Sequence, residues 1–300
     1  MPSLNVELFG LELKNPTILA SGILDTTGAS MKRVVVKGGA GAVVTKSISK
    51  APMEGHKNPS VIALENGLLN AIGLANPGYE GFRSEIEVAK TAGAPVIGSV
   101  FGTSPDEFAE VAGALAEYGA DAIEINLSCP NVEGAKYAHS PELSREAVAA
   151  VKAKVKKPII AKLSAEVPNI VEIAGACVDA GCDGVTAINT VKAMKIDVEA
   201  KMPVLANKTG GLSGTSIKPI AVRCVYEIAK ELDVPVIGCG GITTGEDAVE
   251  FLMAGAKAVQ IGSAVYSRGL WVFRKVVEEM EVFMEREGYG SVDELIGAAL

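Results

Sequence analysis

Two short phrases alternate along this 300-residue chain, and the alternation limits what it can fold into more than any other feature. The first is a proline that opens a β-branched run: Pro16-Thr17-Ile18, Pro95-Val96-Ile97, Pro158-Ile159-Ile160 and Pro235-Val236-Ile237. The second is a glycine that ends a helix and leads within a few residues into a strand. It occurs as Gly39-Ala40-Gly41-Ala42-Val43, Gly119-Ala120-Asp121-Ala122-Ile123, Gly181-Cys182-Asp183-Gly184-Val185 and Gly255-Ala256-Lys257-Ala258-Val259. Proline is tolerated at a strand's first residue because the hydrogen-bond ladder has not yet begun. Glycine lets the preceding helix finish in a left-handed residue. Taken in order, the phrases give eight strands.

Amphipathic stretches separate them, among them 106–118, 143–155, 217–232 and 246–254, so the repeating unit is βα. The strands are short apolar runs, as expected when both faces are covered. A (β/α)8 barrel takes about 250 residues, so the expected fold is an α/β TIM barrel occupying 1–300 as one domain. Alternate strands of such a barrel supply alternate core layers, and a two-strand phrase is the trace that layering would leave in a sequence. Residues 6–13 alternate apolar and polar about Gly10 and read as a hairpin capping the barrel floor. Long loops are expected after strands two (47–79), four (130–140) and six (191–214), and loops of that length in a compact domain are usually functional.

Composition narrows the function. Lysine and arginine number 28 against 36 acidic residues, a net charge of −8, which disfavours a nucleic-acid partner. No apolar run reaches the roughly 18 residues that span a bilayer, and residues 1–10 carry no signal-peptide pattern, so no membrane partner is expected; the odd cysteine count without a CxxC pair makes a reducing, cytoplasmic location the default. The five cysteines contain no CxxC pair, which argues against a disulfide framework or a metal site.

Active sites of these barrels lie at the C-terminal strand ends. Gly240-Gly241 and Gly262-Ser263 end strands seven and eight, where backbone amides commonly hold a phosphate; plain glycine turns are the alternative. Lys46 and Lys162 end inward-facing runs. Two lysines at one mouth imply an anionic ligand unless each snorkels or pairs with a carboxylate, for which Glu124 is the nearest candidate. Asn70, Asn126, Asn131 and Asn189 could read a ligand bearing C=O and N–H groups, or simply shape turns. Cys129, after strand four, could act as base or nucleophile; the other four cysteines read as small buried hydrophobes.

At this point the chain resembles the dihydroorotate dehydrogenase family. Asn126-Leu127-Ser128-Cys129-Pro130-Asn131 is similar to that family's active-site motif, and Asn70-Ala71-Ile72-Gly73-Leu74-Ala75-Asn76-Pro77-Gly78 to its substrate loop. Ile196-Asp197-Val198 through Gly210-Gly211-Leu212-Ser213-Gly214 resembles its segment after strand six. Two places differ: Ser99 stands where relatives often carry Asn, and Lys192-Ala193-Met194 stands where a glycine often precedes the methionine.

The resemblance implies oxidation of dihydroorotate to orotate in pyrimidine biosynthesis on one bound flavin mononucleotide (FMN). Cys129 would remove the proton from substrate C5 while hydride leaves C6; soluble members use Cys here and membrane-associated ones Ser. Lys46, Asn70, Ala71, Ile72, Gly73, Leu74, Asn126, Asn189 and Thr190 would hold the substrate. Ser21, Lys46, Ser47, Ser99, Asn126, Lys162, Ile188, Gly214, Gly240, Gly241, Gly262 and Ser263 would hold FMN. The thiol base resembles the soluble members, one class of which reduces NAD through a partner subunit carrying FAD and an iron–sulfur cluster; this chain is expected to be the catalytic subunit of such an assembly, with a dimer of this chain inside a heterotetramer. The alternatives are a stand-alone fumarate-linked dehydrogenase, a flavin barrel acting on another uracil-like ring such as one in tRNA, a flavin-free lyase or isomerase on a phosphorylated metabolite, and a non-catalytic flavin-binding protein.

Overall fold

The computed structural model describes residues 2–128 and 135–300. Eight parallel strands close a barrel in chain order: β1 (Thr17–Leu19), β2 (Ala42–Val44), β3 (Val96–Val100), β4 (Ala122–Asn126), β5 (Ile159–Leu163), β6 (Gly184–Ala187), β7 (Val236–Cys239) and β8 (Ala256–Ile261). The prolines stand one residue before the odd strands. Their carbonyls accept from the neighbouring even strands: Pro16 from Val259 (2.9 Å), Pro95 from Val43 (3.1 Å), Pro158 from Ile123 (2.9 Å) and Pro235 from Val185 (3.1 Å). A residue without an N–H thus starts each ladder from its acceptor side. Gly39, Gly119, Gly181 and Gly255 follow the preceding helices with φ of 87°, 107°, 91° and 104°.

The two phrases correspond to layers. Successive side chains of a strand face opposite ways, so every second residue enters the barrel. At the floor the even strands contribute Ala42, Ala122, Gly184 and Ala258. Above them the odd strands contribute Ile18, Ile97, Ile160 and Ile237. The hairpin Val6–Leu8 with Leu11–Leu13 seals this end, packing Leu8, Leu13 and Phe9 onto the small residues. A Cβ on Gly184 would collide with the Phe9 ring, so glycine is needed there to admit the plug.

Two of the expected loops prove to be strands. Val61–Leu64 and Gly67–Asn70 form a hairpin after β2; Val191–Met194 and Thr209–Ser213 form another after β6. The second joins the first through Gly211 opposite Asn70, giving a four-stranded antiparallel sheet at the barrel mouth. The ladder that joins the two hairpins pairs segments about 140 residues apart, which no local pattern reveals. The remaining expected loop contains the short helix Ala135–Ala138. Helices Pro105–Glu117, Pro141–Lys154, Lys218–Glu231 and Gly245–Met253 lie within two residues of the expected ones. Ser104, Ser140 and Thr244 cap the first, second and fourth, accepting from amides three residues on. No helix among the described residues is long and apolar enough to cross a membrane.

Candidate active site

Above the isoleucine layer the barrel interior changes character. The next inward positions are Val44, Glu124, Thr186 and Gln260 from the even strands, then Ala20, Ser99, Lys162 and Cys239 from the odd ones, and finally Lys46, Asn126, Ile188 and Gly262 at the rim. Here a cavity of about 600 Å³ opens, within the usual range for small-molecule sites. Its walls come from the strand ends and its outer side from the four-stranded sheet, which contributes Val61, Leu68, Asn70 and Ser213.

A hydrogen-bonded chain crosses one wall. Ser47 Oγ lies 2.8 Å from Ser99 Oγ and 3.4 Å from Ser21 Oγ, and it accepts from Asn126 Nδ2 at 3.0 Å. Asn126 Oδ1 accepts from Ser128 Oγ at 3.2 Å, and Ser128 Oγ in turn accepts from Asn189 Nδ2 at 2.9 Å. Asn189 Oδ1 holds the Thr190 amide at 2.7 Å. Asn126 and Asn189 are therefore oriented by residues of three different strand ends before any ligand arrives, which is preorganisation of amide donors and acceptors.

The two lysines meet different environments. Lys162, 4% exposed, donates to Gln260 Oε1 at 2.8 Å and lies 3.5 Å from Glu124 Oε1. Burial is the largest influence and pushes its ammonium toward the neutral form, but Glu124 together with Cys239 and Asp25 outweighs it and leaves the Lys162 pKa raised. Carboxylate pairing therefore accounts for this lysine's burial, while its place in the cavity lining leaves it available to an anion as well. Lys46, 7% exposed, makes no ion pair within 4 Å among the described residues. Asp25, a buried carboxyl that the sequence pattern does not single out, feels its charge. Burial raises the Asp25 pKa, and the Lys46 charge and the Gly22 amide only partly offset that. Asp25 Oδ2 accepts from the Gly22 amide at 2.5 Å and from Ser21 Oγ at 3.4 Å, and its carbonyl accepts from the Lys46 amide at 3.1 Å. It thereby ties the end of β1 to the end of β2.

The 70–74 segment forms part of the outer wall through Asn70, Ile72, Gly73 and Leu74. Asn70 Nδ2 donates to Gly211 O at 3.1 Å, and the His56 amide donates to Ile72 O at 3.0 Å. Asn76, buried, fastens the segment to the end of β2: its Nδ2 donates to Ser49 Oγ (2.9 Å) and Leu74 O (2.7 Å), and its Oδ1 accepts from the Ser49 and Gly78 amides. On the other side stand Gly214, Gly240, Gly241, Gly262 and Ser263. Gly241 has φ +80°, and a Cβ there would come within 2.6 Å of Lys218 Cβ, so only glycine allows the backbone to follow this path.

Two expected site residues do not reach the cavity. Ser99 is fully buried behind Ser47, whose hydroxyl lies 2.8 Å from its own; the short serine side chain does not reach past it, whereas Lys162 of the same layer does. Ala71 is likewise fully buried, among Leu69 and Leu205 under the mouth sheet, while its neighbours Asn70 and Ile72 face the ligand space. Cys129 and Asn131 lie outside the described residues. Cys177, Cys182 and Cys224 are buried thiols, with burial pushing Cys182 up to about 12 and Cys224 up to about 11, so they are inert as expected. Cys239 departs from that expectation, since it lines the cavity beside Lys162.

The family model described as dihydroorotate dehydrogenase matches residues 3–284. The chain belongs to the dihydroorotate dehydrogenase family. It is 54% identical to a protein of Methanosarcina acetivorans over 97% of this chain and 94% of that one, and 53% identical to one of Pyrococcus abyssi over 99% of each. Both carry the name dihydroorotate dehydrogenase B (NAD(+)), catalytic subunit. The fold matches the crystal structure of a dihydroorotate dehydrogenase (DHODH) from Eimeria tenella in complex with ferulenol. That match has a TM-score of 0.87 and 23% identity, and covers 99% of this chain and 89% of the other.

Proposed function

We propose that this chain is the catalytic subunit of an NAD-linked dihydroorotate dehydrogenase, an oxidoreductase of pyrimidine biosynthesis that binds one FMN in a single domain spanning 1–300. The observation that carries this reading is the convergence of two buried lysines, preoriented asparagines and a glycine-built wall on one cavity at the strand ends. That donor set suits a flavin phosphate. Gly214, Gly240, Gly241, Gly262 and Ser263 present backbone along one side of the cavity, a path that Cβ atoms at Gly214, Gly240 and Gly241 would block by meeting the protein behind them, and Lys162 offers a fixed cation. FMN, when bound, supplies the two-electron acceptor for the substrate hydride.

The chain's own residues do the rest. Cys129 Sγ takes the proton from substrate C5, as general base. Lys46 compensates the substrate carboxylate and contacts the flavin. Asn70, Asn126, Asn189 and Thr190 read the pyrimidine edge with their amide and hydroxyl groups, and Ile72, Gly73 and Leu74 close over it. Lys162 compensates negative charge on the flavin ring, with Ser21, Ser47 and Ile188 completing the flavin wall. A partner subunit bearing FAD and an iron–sulfur cluster would supply the path by which electrons leave, in a cytoplasmic heterotetramer built on a dimer of this chain. The shared name of the relatives, which specifies NAD and a catalytic subunit, supports this over fumarate as acceptor.

The deciding experiment is anaerobic. Purified protein should carry about one FMN per chain, and stoichiometric dihydroorotate should bleach it. Protein that stays colourless after reconstitution with FMN, or a flavin that dihydroorotate does not bleach, overturns the reading. Assays of the lone chain with NAD, then with its partner added, test the electron path: NAD reduction should require the partner.

A further inference from the structure

Among the inward-facing positions of its layer, Val44, Glu124, Thr186 and Gln260, the glutamate stands out. Glu124 is fully buried at the centre of the barrel, and an aliphatic residue like Val44 could fill its place at no desolvation cost. Its Oε2 accepts from Thr186 Oγ1 at 2.9 Å and from Gln260 Nε2 at 2.6 Å. Its Oε1 has no hydrogen-bond partner and is the only such buried side-chain oxygen or nitrogen among the described residues. That free oxygen faces Lys162 Nζ at 3.5 Å. The contact with Gln260 matters as much. By drawing the amide nitrogen to itself, Glu124 turns Gln260 Oε1 toward Lys162, where it accepts at 2.8 Å. One carboxylate therefore acts on the lysine twice, directly by charge and indirectly by fixing an amide.

We propose that Glu124 is a positioning residue that keeps Lys162 cationic in both redox states of the bound flavin. The inference rests on the FMN reading above. The groups around the pair are few. Lys162 is faced by Glu124 and Gln260, and by the Cys239 thiol, which burial pushes up and so keeps neutral near pH 7. Asp25 and Lys46 are the next charges, at the ends of β1 and β2. Only Glu124 among the described carboxylates lies within 4 Å of the ammonium. A buried lysine stripped of its counter-ion gives up its proton readily, by up to several pH units. Without Glu124, Lys162 would be neutral beside oxidised flavin and would take up a proton when the flavin gains negative charge.

The test is the pH dependence of the midpoint potential of bound FMN, from dye-equilibrated reductive titrations between pH 6 and 9. In the wild type Lys162 contributes no proton uptake. In Glu124→Gln one further proton should accompany two electrons, so each pH unit shifts the equilibrium by up to an additional factor of ten, about 30 mV. In Glu124→Gln/Lys162→Met the titrating group is gone, and the wild-type slope should return. An unchanged slope in Glu124→Gln overturns the proposal, as does a steep slope that persists in the double variant. Should Glu124→Gln fail to fold while the double variant folds, the carboxylate is needed only because of Lys162, which supports it. Failure of both to fold assigns Glu124 a structural role and overturns it. Wild-type protein that binds no FMN would instead sink the underlying functional reading, a separate and visible outcome.

Discussion

The lower and upper halves of this barrel are built from the same eight strands with the same alternation, yet their interiors are opposites. Below, Ile18, Ile97, Ile160 and Ile237 interlock with alanines and the Phe9 plug, all apolar. Above, starting one layer higher, Glu124, Thr186, Gln260, Ser99, Lys162, Lys46 and Asn126 are all buried and all polar or charged. A buried apolar layer stabilises through its area; a buried polar layer at best offsets its own desolvation through mutual hydrogen bonds. The floor holds the barrel closed so that the mouth can maintain a polar arrangement that contributes little to stability, which in the proposed function is put to use in binding and catalysis.

Perturbing one half at a time breaks or sharpens that division. The largest effect belongs to the mouth. Cys129→Ala should lower turnover at neutral pH by about 10² to 10⁴-fold, the usual worth of a general base, while orotate binding and the melting temperature stay near wild type. Stopped-flow reduction by dihydroorotate reads the first and calorimetry the others; wild-type turnover would place the base elsewhere. The floor should respond in the opposite sense. Ile160→Ala, at a fully buried position, should cost about 2–5 kcal/mol of stability in denaturant titrations. At a temperature where the variant is folded, KM and FMN content should be unchanged; a large change in KM would show that the halves are mechanically coupled.

Lys46→Ala should raise the KM for dihydroorotate and weaken FMN retention together. Each effect should be about ten- to a hundred-fold, the worth of one charge-assisted contact of about 1.5–3 kcal/mol. Normal flavin content with an unchanged KM would remove Lys46 from both roles. The smallest effect lies outside either half, at the start of helix Gly245–Met253. Burial alone would raise the Asp247 pKa. The Lys218 ammonium, the Thr243 hydroxyl and the amides of Thr243 and Thr244 outweigh it and pull it down to about 2. A carboxyl depressed on folding contributes stability above its ordinary range near 3.8, and that contribution disappears as pH falls toward 2. Melting temperatures followed from pH 5 to 2 should therefore fall less steeply for Asp247→Asn than for the wild type, with no difference in turnover at pH 7. Parallel curves would mean the residue's charge contributes nothing to acid stability.

The barrel and most of its rim were legible in the sequence because both follow from local rules. Proline before a strand, glycine after a helix and a period of two are set by backbone sterics within a few residues, and a rim residue such as Lys162 or Asn126 announces itself as a polar group ending an apolar run. Asn189 and the glycine pairs stand at strand ends in the same way, whereas Asn70 was legible through the amide chemistry it offers and the family resemblance of its segment. What only the tertiary structure decided are relations between distant segments. The mouth sheet exists because Gly211 meets Asn70, and Asn76 matters because it reaches Ser49. Ser99 and Ala71 are buried behind the residues that line the cavity. Asp25 feels the Lys46 charge across two strand ends, and Glu124, noticed as a possible partner, becomes the counter-ion of Lys162 only when β4, β5 and β8 close around it. Backbone preferences act over one or two residues and are written in the chain. Burial, counter-charge and the direction a hydroxyl faces depend on which strands become neighbours, and that is set only when the barrel closes.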